Sequence, residues 1–87
     1  MNYLMTAITL AEVTRTGVLA ALPTATGFEK EGPLYDRVFG AYGTLHTAMA
    51  AVERKDCEFE LSQASKLSDE LDRLLTRLES SRYELAA

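Results

Sequence analysis

One cysteine, one histidine, two prolines and no tryptophan occur in 87 residues, and basic side chains are outnumbered nine to thirteen. Each scarcity removes a class of answers. A lone Cys57 excludes an internal disulfide, and secreted folds of this size commonly carry several, so the reading favours a reducing cytoplasm. A lone His46 beside a lone cysteine cannot make a zinc tetrad, and there is no second histidine to orient a Cys/His pair. Cys57 is flanked by Asp56 and Glu58, which disfavour a thiolate, so an inert thiol is expected. The chain has no glycine-rich phosphate loop and no nucleotide fingerprint. Ser62, Ser65, Ser68, Ser80 and Ser81 lack a nucleophile elbow. On these grounds the chain is not expected to be an enzyme, and no cofactor or metal is expected.

The deficit of positive charge leaves a net charge of −4, which repels phosphate backbones and anionic lipid surfaces within a Debye length. Neither nucleic acid nor membrane is an expected partner. The acids are interleaved with Arg54, Lys55, Lys66, Arg73, Arg77 and Arg82, so they form no broad field of one sign that would mimic nucleic acid. Asp69, Glu70 and Asp72 share a helix and read as a solvated face, with Arg73 placed four residues after Asp69 for a surface pair. The first 22 residues are apolar, but no basic residue precedes Arg15, and Glu12 and Arg15 interrupt the run. A buried helix is expected there, not a signal or a membrane span.

What the chain has in quantity is helical periodicity. Ala64, Leu67, Leu71, Leu74, Leu78, Ser81 and Leu85 recur in steps of three and four, the spacing that lays one apolar seam along a helix over about 57–85. A second seam, Tyr35, Val38, Tyr42, Leu45, Met49 and Val52, predicts a helix over about 33–53, with Phe39 widening the stripe. Pro33 suits its first turn, where an amide hydrogen would lack an acceptor anyway. Leu4, Ile8, Ala11, Val18 and Leu22 define a first helix over about 3–22, ended by Pro23. Met5, Leu10, Val13, Leu19 and Ala20 make that helix apolar on more than one face, more than two neighbouring helices are expected to cover. Residues 23–32 read as a loop pinned by Phe28.

After Gly43 no glycine or proline marks a break, but the second and third seams are one residue out of phase. A hairpin near 53–56 resolves this, with Asp56 as a cap. A single helix over about 34–85 is the alternative. Gly40 and Gly43, with Thr44, Thr47 and Ala51, form a small-residue strip away from the seam. Two glycines in a helix interior cost about 1 kcal/mol each, so close packing of another helix is expected to compensate.

The resulting expectation is an all-α fold, a small three-helix bundle of antiparallel hairpins in one domain, completed by dimerisation. Apolar surplus without reactive clusters points to a protein–protein interaction module that binds a partner polypeptide, or itself, through an apolar helical face. An adaptor, a chaperone and a small inhibitor would all read this way. The expected interface residues are Leu10, Val13, Tyr35, Phe39, Tyr42, Leu67, Leu71, Leu74 and Leu78. A structural homodimer with no other ligand is the second reading. A small-ligand binder or enzyme would need Tyr35, Tyr42, His46 and Cys57 to converge on one pocket.

Overall fold

The computed structural model describes the backbone of residues 3–86, and the side chains over that range except at Glu31, Arg54 and 80–86. Helix α1 (Tyr3–Ala21) ends in a tight turn, Leu22–Thr24. A continuous helix over 27–50, α2, follows; it consists of Gly27–Glu29, a widened π turn Lys30–Leu34, and Tyr35–Ala50. A second tight turn, Arg54–Asp56, leads into α3 (Glu58–Ala86). No strand occurs among the described residues.

Helix α2 begins six residues before the proline expected to start it. Most of the expected loop over 23–32 is therefore helical. The physical reason lies at Thr26, whose hydroxyl accepts from the Glu29 amide at 3.1 Å and donates to the Glu29 carboxylate at 3.2 Å. Thr-Gly-Phe-Glu is thus a reciprocal cap, akin to the capping box, that satisfies an end the proline was expected to supply. Pro33 then falls inside the helix, where it has no N–H to give the Glu29 carbonyl and its ring would press against that oxygen. Widening to a π turn over Lys30–Leu34 makes room for it. The gain is a longer α2 that brings Leu34 into the core.

The hairpin expected near 53–56 is present, so α2 and α3 are separate helices. Helix α2 stops at Ala50, with the Ala51 amide bonded to Ala48 O at 3.2 Å, and the Asp56 amide bonds to Glu53 O at 3.1 Å. Asp56 lies inside the turn; Cys57 holds the position before the first residue of α3.

All three helices pack on one another. Side-chain pairs give the directions. Tyr35 reaches Glu79 and His46 reaches Ser68, so α2 and α3 are antiparallel in constant register. Glu12 meets Gln63 and Arg15 meets Glu70, so α1 and α3 run parallel. Ala21 lies six residues past Arg15 and comes level with about residue 76 of α3. Beyond that level α3 has only α2 beside it, which agrees with an elongated body of 47 × 20 × 15 Å.

The core follows the three seams. Leu4, Ile8, Ala11, Val18 and Leu22 of the first are all buried, as are Ala64, Leu67, Leu71, Leu74 and Leu78 of the third. Ser81 and Leu85 lie outside the described side chains. Along the second seam, Val38 and Leu45 are fully enclosed, whereas Tyr35, Tyr42, Met49 and, just past the end of α2, Val52 pack at the core's edge. Ala41 and Ala48 are also buried, which turns the helix by part of a residue from the expected facing. Phe39, expected to widen the stripe, is therefore 58% exposed.

Two stability tests follow from these placements. Leu71 is fully buried and Asp72 exposed, so Leu71→Asp is expected to unfold the chain, while Asp72→Ala shifts chemical-denaturation stability by less than about 0.5 kcal/mol. An added Cβ at Gly43 would meet nothing within 4 Å. Gly43→Ala is therefore expected to raise stability by about 0.5–1 kcal/mol, read from the same denaturation curves.

Candidate interaction faces

Helix α1 carries two charges, and both are engaged by α3. Gln63 Nε2 donates to Glu12 Oε1 at 3.3 Å, and the Arg15 guanidinium pairs with the Glu70 carboxylate. Both contacts lie at the margin of the core, with Arg15 and Glu70 still partly solvated, so they orient α1 more than they stabilise it. Turning both charges toward α3 leaves the outer side of α1 without any. That side presents Tyr3, Met5, Leu10 and Val13 between Thr6, Thr9 and Thr16, all exposed, with Val13 at 63%; Leu19 is exposed on the flank toward α3, beside Glu12. Residues Tyr3–Thr24 are long and apolar enough to cross a membrane by length and composition alone; in this fold one side of that segment lies in the core.

The outer side of α2 next to α1 is also uncharged over its middle. Gly40, Thr44 and Thr47 are exposed, and a Cβ added at Gly40 would meet nothing within 4 Å. The close helix packing expected to compensate for Gly40 and Gly43 is therefore not made within the chain. The small-residue strip is a flat outer surface.

The other side of α2, against α3, is built from rings. Tyr35 and Phe39 stack with centroids 6.1 Å apart, and Tyr42 and His46 lie 4.3 Å apart, tilted by 41°. Tyr35 Oη donates to Glu79 at 2.9 Å, and His46 Nε2 lies 2.6 Å from Ser68 Oγ. A histidine touching a serine has the spacing of a base and a nucleophile. Here, however, the serine sits mid-helix, where neighbouring backbone N–H groups are spent on helix bonds and leave no oxyanion hole. The contact is instead a polar clasp between α2 and α3 that satisfies the buried Ser68 hydroxyl. The open cleft at the hairpin end brings His46, Glu58, Ser62, Ser65 and Lys66 to its rim and walls among apolar Met49, Val52 and Leu61. Cys57 is half-buried and is not part of it. Among the described residues, no group of three or more His, Cys, Asp or Glu side chains could hold a metal.

The nine residues expected at an interface thus divide by location. Leu67, Leu71, Leu74 and Leu78 lie in the chain's own core, enclosed by α1 and α2, and offer no surface. This corrects their assignment to an interface: the seam that needed a neighbour finds it inside the same chain. Leu10 and Val13 are exposed on α1. Phe39 is exposed on α2, beside the half-buried Tyr35 and Tyr42, on the flank toward α3 and so apart from Leu10 and Val13. Sequence reasoning overlooked Phe59, 78% exposed; its position off the third seam was the available signal. No family model, curated protein or solved structure matches this chain.

The clasp can be measured. A double-mutant cycle of His46→Ala and Ser68→Ala is expected to return a coupling of about 0.5–1.5 kcal/mol in denaturant unfolding. A coupling near zero would contradict a formed contact.

Proposed function

We propose that this chain is a non-enzymatic protein-interaction module, acting in the cytoplasm, that binds another polypeptide surface through the uncharged outer side of α1. The observation that carries the reading is the charge pattern of α1. Across 19 residues its only charges are drawn to α3, and Leu10 and Val13 stand in solvent together on the charge-free arc, beside Thr6. An exposed arc that runs the length of a helix with apolar residues and threonines but no charge is larger than the scattered exposed residues that need no explanation. It suits an apolar helix or sheet face laid along it. The four core leucines take no part, so binding does not require the bundle to open.

The reading predicts uptake of an apolar dye at dilutions where the chain is monomeric. Leu10→Lys combined with Val13→Lys is expected to cut the dye fluorescence several-fold, with far-UV helicity unchanged, because both residues are on the surface. A wild-type chain that takes up no dye would contradict it.

A further inference from the structure

Gly17 locates the seam between α1 and α2: a Cβ there would stand 3.3 Å from Arg37 Nη2. The two helices are antiparallel, so each step back along α1 matches a step forward along α2. Together with the contacts of both helices to α3, this puts Leu10 level with about 44–49 of α2 and Val13 with about 41–46. Thr6, Leu10 and Val13 on α1 have the spacing of one helical stripe, and Gly40, Thr44 and Thr47 on α2 repeat it. These six exposed, uncharged residues make two matched rails on one flat face.

We infer that this face is where two copies of the chain meet, antiparallel, about a two-fold axis near Leu10 and Thr44. The inference rests on the binding reading above and names the occupant. Three observations favour a second copy. The first is charge. A two-fold contact sets a patch against itself, and a chain of net charge −4 opposes like charges on an ionised face, whereas this one is neutral. The second is the position of the charges at its ends. Arg37 lies at one end of the face and Glu53 just past the other end of α2, so the two-fold brings Arg37 of each copy toward Glu53 of the other.

The third is size. Helix α1 is about 28 Å long at 1.5 Å per residue, and two helices side by side are about 18 Å wide. The face is thus about 500 Å² per copy, just under a tenth of the 5722 Å² surface. The pair buries about 1,000 Å², enough for a specific contact of modest strength. Gly40 acquires a reason in this arrangement: with nothing near its missing Cβ in the single chain, it lets the second copy's α2 approach the α2 backbone.

Light scattering and sedimentation over a wide concentration range test the inference. Wild type is expected to pass from the 9.6 kDa chain mass to twice that value, with apolar-dye fluorescence falling as the dimer forms. Val13→Glu and Gly40→Glu, each on the surface, are each expected to weaken the dimer by about tenfold or more, through carboxylates facing across the axis. Arg37→Glu and Glu53→Arg should each weaken it, and the double exchange should restore it. A chain that stays monomeric yet takes up dye overturns the dimer and leaves the binding reading standing. A monomer that takes up no dye overturns both. A dimer untouched by Val13→Glu and Gly40→Glu also overturns the inference, because copies would then meet elsewhere.

Discussion

A helix with two neighbours can hide only part of its circumference, and α1 carries apolar residues around nearly all of it. Everything distinctive in the structure follows from how that constraint is met. Leu4, Ile8, Ala11 and Val18 fill the space between α2 and α3. The two charges that might have blunted the opposite side are instead drawn to the flank of α3 by Gln63 and Glu70. What remains outward is a neutral stripe. Rotating α1 one way would bury Glu12 or Arg15 against the leucine seam, at a desolvation cost that surface pairing could not offset; rotating it the other way would lift Ile8 out of the core.

The three seams were legible because a heptad-like spacing has one reading once it is long enough. Buried positions from Leu4 to Leu22 and from Ala64 to Leu78 fall where the period puts them. The hairpin was legible from a one-residue phase slip, because two stripes out of register cannot both face one core on a straight helix. The start of α2 was harder to read. Proline at a helix start and proline within a π turn look alike in sequence, and the deciding signal was the Thr26 to Glu29 spacing, a local cap that overrides the breaker. The facing of α2 was only partly legible for a related reason. Tyr, Phe and Val compete with Ala for the core side, and small Ala41 and Ala48 win where helices lie close, which sends Phe39 outward.

The same distinction explains what could be read of the site. Periodicity identifies residues that need cover but does not say whether the cover comes from the same chain. Leu67, Leu71, Leu74 and Leu78 were covered internally. Leu10 and Val13, off the main seam of α1, were not. Surplus on a second face was therefore the informative signal, and strength of the main seam was not. Gly40 and Gly43 behave alike: their cost within the helix is real, and the compensation is not found inside the chain.

Taken together, a neutral α1 stripe, a flat α2 rail and an acidic remainder describe a small bundle whose working surface is the one its own fold leaves uncovered. The most direct test places a spin label at position 13, using Val13→Cys in a chain whose single native thiol is removed by Cys57→Ser, with a parallel label at position 59. Pulsed dipolar spectroscopy on concentrated samples is predicted to give a short distance between copies for position 13 and a long one for position 59. A short distance at position 59, or none at position 13 in a sample of doubled mass, would contradict the account.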